Sequence, residues 1–206
     1  MIQSRTLALL VLGLTAMRPA QGRPHDYRFD TVHTQILFSA SHLGFSQPSG
    51  RIRIKSGFIH FDDGEWAKSK VEAVIDTNSL DMGDAAWNAK LRSREFFAAD
   101  KYPTAHFVST GVEKNGERSG IVHGRLTLLG VTRPLDLAVT FNRAGVDAYS
   151  LHYTAGFSAT ATLKRSDFGM QKYLPDIGNA VAIHIEVEGL RDRSAQEQAG
   201  KDDTEH

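Results

Sequence analysis

The sequence predicts an all-β domain, an eight-stranded antiparallel barrel with one short helix between strands 3 and 4. Eight runs of residues alternate between apolar and polar side chains with a period of two, as strands with one wet face do. Most of the runs are joined by short turns, so neighbours in the sequence should pair antiparallel. Closing such a sheet on itself removes the exposed edges of its long strands. A two-sheet sandwich is the alternative architecture.

The leader comes first. Residues 1–22 have the pattern of a secretory signal peptide, with Arg5 before an apolar run at residues 7–16 that is too short to cross a bilayer as a helix. Cleavage is predicted after Gly22, with cleavage after Ala16 or Ala20 as alternatives. The mature domain is expected at residues 23–190, followed by a polar, disordered tail at residues 191–206.

The first half of the domain predicts three strands and the helix. Strand 1 is expected at residues 27–42, strand 2 at residues 52–61 after a bend and turn, and strand 3 at residues 71–75. Asp84 is a suitable N-cap for a helix over residues 85–94. Its apolar side should cover one open end of the barrel.

The second half predicts the other five strands. Strand 4 begins near Thr104 and turns at Asn115-Gly116, a strong hairpin signal. Alternating runs then end near Leu128, Phe141, Gly169 and Val187. The run at residues 149–169 is the longest, and at roughly 3.4 Å per residue it would span about 50 Å, well beyond the usual strand.

The inner face of this barrel mixes tiny and bulky side chains, which predicts an elongated apolar cavity. Ala159 lies mid-strand among other small residues, while Asp, Glu, Lys and Arg are missing from the inner strand positions. Such a cavity suits a hydrocarbon chain better than acid–base chemistry. A fully packed barrel is the alternative. The predicted ligand-binding residues are Phe38, His42, Phe45, Phe107, Leu126, Phe141, Tyr153, Phe157, Ala159, Arg165 and Phe168.

Two of these residues have a second interpretation. His42 is in phase with Phe38 near a strand end, where it contacts a ligand or caps the core. Arg165 continues the inner alternation at a strand end, where it meets an anionic head group or forms an ion pair with Asp167. Both interpretations remain open for each residue.

Composition argues against several functional classes. Lys plus Arg and Asp plus Glu number 24 each, without a basic run, so nucleic acid is not an expected partner. The chain has no cysteine, which excludes disulfides and thiolate chemistry. Neither a Gly-x-Ser-x-Gly elbow nor a Gly-rich phosphate loop occurs, and no transmembrane segment is expected. His106 and His123 could share a surface metal ion across a hairpin, but solvated surface is the favoured interpretation, and no catalytic residue, metal or cofactor is predicted.

A series of short motifs is spread over residues 27–190. They are Tyr27-Arg28-Phe29-Asp30-Thr31-Val32-His33-Thr34, Ser41-His42-Leu43-Gly44-Phe45-Ser46, Asp76-Thr77-Asn78-Ser79-Leu80, Leu91-Arg92-Ser93, Tyr102-Pro103, Gly124-Arg125-Leu126-Thr127-Leu128, Gly156-Phe157-Ser158-Ala159 and Arg165-Ser166-Asp167-Phe168-Gly169. Each motif alone is weak, but their order and spacing are specific. In this order the chain resembles one known family, the YceI-like, polyisoprenoid-binding proteins.

The resemblance implies a lipocalin-like barrel exported to the periplasm, with a pocket for a long isoprenoid or similar amphiphile, and a homodimer as in many members. The expected function is to bind, carry or store such a lipid, for example a polyprenyl phosphate or a quinone. An enzyme acting on the lipid and a ligand-free structural or stress-related protein are the alternatives. Two sites depart from the family pattern and leave head-group recognition open: Asn88-Ala89-Lys90 replaces a common Asp-x-His, and Leu129 replaces a common His.

Overall fold

The computed structural model describes residues 24–192 and 194–195. The predicted signal peptide and most of the predicted tail lie outside the described residues. The last strand ends at Arg191, one residue into that tail, and Ala195 beyond it is only 2% exposed. The predicted limits of the signal peptide (residues 1–22), the domain (residues 23–190) and the tail (residues 191–206) otherwise stay predictions.

Nine strands and one α-helix make up the described chain. The strands are β1 (His25–Phe29), β2 (Gln35–His42), β3 (Ser49–Phe61), β4 (Lys70–Asp81), β5 (Thr104–Lys114), β6 (Ser119–Leu128), β7 (Val131–Val146), β8 (Tyr153–Lys164) and β9 (Ile177–Arg191). Helix α1 (Ala85–Arg92) lies between β4 and β5, and 3-10 turns occupy Trp66–Lys68 and Arg165–Phe168.

The sheet closes into a barrel with eight positions around its circumference. Each strand from β3 to β9 pairs antiparallel with the next, and both β1 and β2 pair with β3 on one side and β9 on the other. The short strands β1 and β2 therefore share one position. The predicted antiparallel barrel with one short helix is confirmed, and the sandwich alternative is wrong.

The predicted first strand is interrupted in its middle. The Oδ1 atom of Asp30 accepts hydrogen bonds from the backbone N–H groups of Val32 at 2.9 Å and His33 at 3.1 Å. These local bonds compete with the ladder bonds of a strand. The prediction of one continuous strand at residues 27–42 was therefore wrong, although both pieces lie in the same place in the barrel.

The predicted 50 Å strand was also wrong in extent, because β8 contains 12 residues. Before it, the carboxylate of Asp147 accepts from the N–H groups of Tyr149 and Ser150 and shapes a turn. After it, the chain enters the 3-10 turn Arg165–Phe168. Alternation in sequence thus continued beyond the hydrogen-bonded strand at both ends.

Helix α1 begins where the sequence predicts. The Oδ1 atom of Asp84 accepts from the N–H of Trp87 at 2.8 Å, as an N-cap does. The helix ends at Arg92, two residues earlier than predicted, because Ser93 is already extended. Within residues 24–192, no helix has the length and apolar character needed to span a membrane.

Candidate functional site: an apolar cavity in the barrel

The barrel encloses a cavity of about 640 Å³. This volume falls in the usual range of small-molecule sites, roughly 300–1,000 Å³. Its wall consists mostly of apolar side chains that alternate along the strands and point inward, because successive side chains of a strand face opposite sides. The contribution of β9 shows the pattern: Val181, Ile183, Ile185 and Val187 all line the cavity.

The two ends of the barrel differ because connections in an antiparallel barrel alternate between ends. The β3–β4 connection, which carries Trp66, lies at one end, and the β4–β5 connection, which carries α1, lies at the other. We call the first the closed end and the second the mouth. The cavity reaches both, since Trp66 and Trp87 are each part of its lining.

The closed end is a cluster of four aromatic rings. Phe61 is its centre, with ring centroids 5.6 Å from Trp66, 4.9 Å from Phe141 and 5.0 Å from Phe157. Phe61 is 7% and Trp66 4% exposed. Ala155, fully buried beside the cluster, leaves room for the rings. This end is a packed core that shields the cavity from solvent.

The mouth is formed by side chains that remain partly exposed. Leu43, Trp87 and Tyr173 all line the cavity, yet they are 50%, 38% and 40% exposed. Leu91 on α1 completes this side, and the ring of His42 lies 6.3 Å from that of Trp87. A ligand that enters the barrel can pass here without breaking a packed core.

A carboxylate ties the two segments of the mouth together. Glu95, which follows α1, accepts from Lys172 Nζ at 3.1 Å and Tyr173 Oη at 2.9 Å, both in the β8–β9 connection, and also pairs with Lys90 of α1. The hydrogen bonds from Lys90, Lys172 and Tyr173 lower the pKa of Glu95 to about 2. Phe96 stacks on Tyr173 with centroids 6.0 Å apart. Glu95 and its three partners form a polar latch across the mouth.

Arg165 is buried rather than projecting into solvent at the rim. It is 3% exposed, and its guanidinium donates to three backbone carbonyls: Nε to Gly178 at 3.0 Å, Nη1 to Met170 at 2.8 Å and Nη2 to Ile177 at 2.9 Å. Burial lowers the pKa of Arg165. An ion pair with Asp167 is absent from the described contacts of Arg165, and contact with an anionic head group stays a prediction. Arg165 lines the cavity and fastens the β8–β9 connection.

Seven of the eleven predicted ligand-binding residues line the cavity, and four do not. The seven are Phe38, His42, Phe107, Leu126, Phe157, Ala159 and Arg165. Their contact with a ligand stays a prediction.

The other four have different surroundings. Phe45 is 88% exposed on the β2–β3 connection, and Phe168 is buried in the core beside the cavity. Phe141 packs into the closed end behind Phe61 and Phe157. Tyr153 packs its ring against His25, with centroids 5.9 Å apart. Phe45 and Phe168 lie outside the strands, and the register of β7 against β8 shifts between Phe141 and Arg143, none of which simple alternation reports.

Sequence reasoning missed several lining residues. Trp66, Trp87 and Tyr173 lie in connections, where no period of two exists to reveal them. The expectation of a lining without charges also fails at the ends of the cavity, which include Lys70 and Lys90. A useful signal was available, because the chain has only two tryptophans, and each lies in a long connection at an opposite end.

The residues that depart from the family pattern, Asn88, Lys90 and Leu129, all make contacts within the protein. The Oδ1 atom of Asn88 accepts from the N–H of Met82 at 2.6 Å, and its amide donates to Asp81 at 3.1 Å. Lys90 contributes to the latch. Leu129 adopts a left-handed conformation with φ of 55° in the β6–β7 turn and packs against the core.

The histidines do not form the metal site that was considered. His106 pairs with Thr127 and His123 with Gly111, so the two are not neighbours across the hairpin. His123 instead bonds Asp136 at 2.9 Å. Elsewhere on the outer surface, Asp30, His33 and Glu188 offer ligand atoms within 4.8 Å of one another, a grouping that the sequence did not predict.

The amino-acid sequence of this chain is similar to a known family and to several bacterial proteins. A model of the YceI-like domain matches residues 27–189. A UPF0312 protein of Pseudomonas aeruginosa (strain LESB58) is 38% identical over 189 residues, covering 91% of this chain and 98% of the relative. A UPF0312 protein of Azotobacter vinelandii has the same identity and coverage.

Solved structures share the fold at lower identity. Burkholderia cenocepacia BcnA has a TM-score of 0.68 at 23% identity, covering 78% of this chain and 98% of BcnA. The Campylobacter jejuni YCEI protein has a TM-score of 0.60 at 21% identity, covering 93% and 100%. A polyisoprenoid binding domain from Saccharophagus degradans, implicated in plant cell wall breakdown, has a TM-score of 0.60 at 19% identity, covering 81% and 98%.

Proposed function

This chain belongs to the YceI-like domain family, and on that premise we propose that it binds a long isoprenoid lipid inside its barrel. The observation that carries the proposal is the apolar cavity of about 640 Å³, which runs from a partly exposed mouth to a packed aromatic end. An elongated apolar space fits a hydrocarbon chain. The polyisoprenoid binding domain with the same fold supports this choice of lipid.

The affinity would come from the wall rather than from a catalytic group. Each buried methylene contributes about 0.8 kcal/mol, so a long chain gains enough to bind without a charged partner. Two cations of the lining are already engaged: Arg165 donates to three carbonyls, and Lys90 pairs with Glu95. We therefore propose a binding and carrying role rather than catalysis.

The setting of this function is part of the proposal. The signal-peptide pattern at residues 1–22 supports export, and we propose the periplasm as the site of action. There the lipid is the ligand and no further cofactor is required. We propose a homodimer as the working assembly, following the family resemblance.

A pair of tryptophan substitutions tests the proposal. Ala159→Trp places a large ring in the lumen, because Ala159 lines the cavity between its register partners on the neighbouring strands, Val139 of β7 and Ile185 of β9. Thr160→Trp is the matched control, since Thr160 is the next residue and is exposed on the outer face. Native mass spectrometry of the exported proteins should show one bound lipid per molecule for both the native protein and Thr160→Trp. In Ala159→Trp, the fraction of molecules that carry a lipid should fall by at least nine-tenths.

The same preparation separates binding from the other functional classes. Retention of the lipid by a folded Ala159→Trp protein would place the ligand outside the lumen and contradict the proposal. Absence of any lipid from the native protein would leave a ligand-free barrel. Chemical turnover of the bound lipid over time, followed by mass, would identify an enzyme.

A further inference from the structure

Trp66 carries a buried hydrogen-bond donor without an acceptor. Its Nε1 atom is the one buried side-chain nitrogen or oxygen, among the residues the structure describes, that has no hydrogen-bond partner. The residue is 4% exposed and forms part of the cavity wall at the closed end. Protein interiors pair nearly all such groups, so an unpaired indole N–H at a cavity needs a cause.

Contacts on the other edge of the indole show which way the ring is turned. A Cβ atom at Gly120 of β6 would lie 2.8 Å from Cζ3 and 2.9 Å from Cε3 of Trp66, so this edge is pressed against β6. Nε1 lies on the opposite edge of an indole and therefore faces away from that wall. The glycine is needed for this placement, because any side chain there would displace the ring.

The surroundings inside the barrel offer little that could accept this hydrogen bond. The lining at this end includes Phe61, Phe157, Val112 and Val139, which have no polar side-chain atom. It also includes Ser69, whose Oγ already accepts from the N–H of Asp62, and Lys70, whose ammonium can only donate. Two lysines border this end, Lys70 and Lys114, and Lys114 Nζ lies 5.2 Å from the centroid of the Trp66 ring, but both side chains are exposed. An anionic group that reached Nε1 would therefore be buried among apolar rings at high cost, whereas an uncharged oxygen could be accommodated.

We propose that Trp66 donates its indole N–H to an uncharged oxygen at the inner end of the bound lipid. The ligand then carries a hydroxyl or carbonyl oxygen at the end that reaches the closed end, and is not a plain hydrocarbon there. Tryptophan indoles in apolar surroundings usually find one such partner. This inference rests on the proposed lipid binding and adds the orientation and chemistry of the ligand.

The two tryptophans allow a direct test in the intact protein. Protein labelled with ¹⁵N at its indoles gives two side-chain signals, one from each end of the cavity, which Trp66→Phe and Trp87→Phe assign. The probes are phytol and phytane, which share a branched isoprenoid skeleton and differ by one hydroxyl group. Phytol should move the Trp66 indole proton downfield, as hydrogen bonding does, and phytane should not.

Affinities give the second measurement. The native protein should bind phytol about three- to tenfold more tightly than phytane, the size of one net hydrogen bond to a buried group. Trp66→Phe should reduce this preference to less than twofold while keeping the affinity for phytane. Tyr149→Phe is the matched control and should keep the preference, because it removes a hydroxyl group from a ring that is 98% exposed in the β7–β8 connection.

The outcomes separate the inference from the proposed function. If phytol binds in the lumen but the Trp66 signal does not move, or if only the Trp87 signal moves, the inference is overturned and lipid binding stands. An unchanged preference in folded Trp66→Phe has the same meaning. The proposed function fails if neither probe binds the native protein, or if Ala159→Trp binds both probes as tightly as the native protein does. In either case this inference fails with it.

Discussion

The two ends of the barrel use the same kinds of side chain in opposite ways. At the closed end, Phe61 and Trp66 are at most 7% exposed and pack ring against ring. At the mouth, Trp87 and Tyr173 are 38% and 40% exposed although they also line the cavity. Aromatic residues therefore stabilise the fold at one end and leave a passage at the other.

The ends also differ in the forces that hold them. The closed end depends on apolar packing, which resists opening because every ring has several neighbours. The mouth depends on polar contacts, namely the latch around Glu95 and the carbonyl bonds of Arg165. Packing is lost only when the protein unfolds, whereas a surface ion pair can open locally. We therefore propose that the first end stabilises the fold and that ligands exchange through the second.

The largest expected effect is a loss of stability at the closed end. Phe61→Ala removes the ring that contacts three others and should lower the free energy of unfolding by about 3–5 kcal/mol. The matched change at the mouth, Phe45→Ala, removes an 88% exposed ring and should cost less than about 0.5 kcal/mol. Urea denaturation measures both, and equal costs would remove the distinction between the ends.

The second effect concerns the connection that borders the mouth. Arg165→Met leaves the carbonyls of Gly178, Met170 and Ile177 without their donor and should cost about 3 kcal/mol. Asp167→Asn, two residues away, should leave stability nearly unchanged. Similar losses in both variants, measured by thermal unfolding, would revive the ion pair between these residues.

A smaller effect is expected on the rate of ligand exchange. Glu95→Gln weakens the bonds to Lys90 and Lys172, so the mouth should open more often and phytol should dissociate several-fold faster. Glu117→Gln, an exposed change in the β5–β6 connection near the other end, is the control. Stopped-flow dissociation that is equally fast in native protein and Glu95→Gln would show that ligands do not pass through the latch.

The smallest effect should appear as a pH dependence confined to acid. The folded-state pKa of Glu95 is lowered to about 2 from an ordinary value of 4.5, with the hydrogen bond from Lys90 as the largest cause. Its contribution to stability is therefore complete above pH 4.5 and is lost as the pH falls toward about 2. Phytol dissociation should be constant from neutral pH to about pH 5, and a rise in that interval would assign the opening to a different group.

Much of the fold could be predicted, because the alternation of apolar and polar residues along the sequence indicates where the strands lie. The order of the strands, the N-cap at Asp84 and the inward set of β9 follow from local patterns. The break at Asp30 and the true start of β8 were missed, since both depend on carboxylates that bind nearby backbone N–H groups. Such caps can be suspected from Asp before polar or turn residues, but alternation outweighed that signal here.

The candidate site was less predictable than the fold, because several of its lining residues lie in the connections between strands. Phe107 and Ala159 could be placed in the lumen from their strand positions. Trp66 and Tyr173 could not, since their positions depend on how two loops fold over the barrel ends. The surroundings of Arg165 depend on three carbonyls brought together only by the folded β8–β9 connection.

The most direct test of the account is a crystal structure of the protein saturated with phytol. The account predicts continuous density for one chain inside the barrel, beginning between Trp87 and Leu91 at the mouth and ending with its oxygen at hydrogen-bonding distance from Trp66 Nε1. Density confined to the outer surface, with the lumen filled by side chains, would contradict the central claim that the cavity holds the lipid.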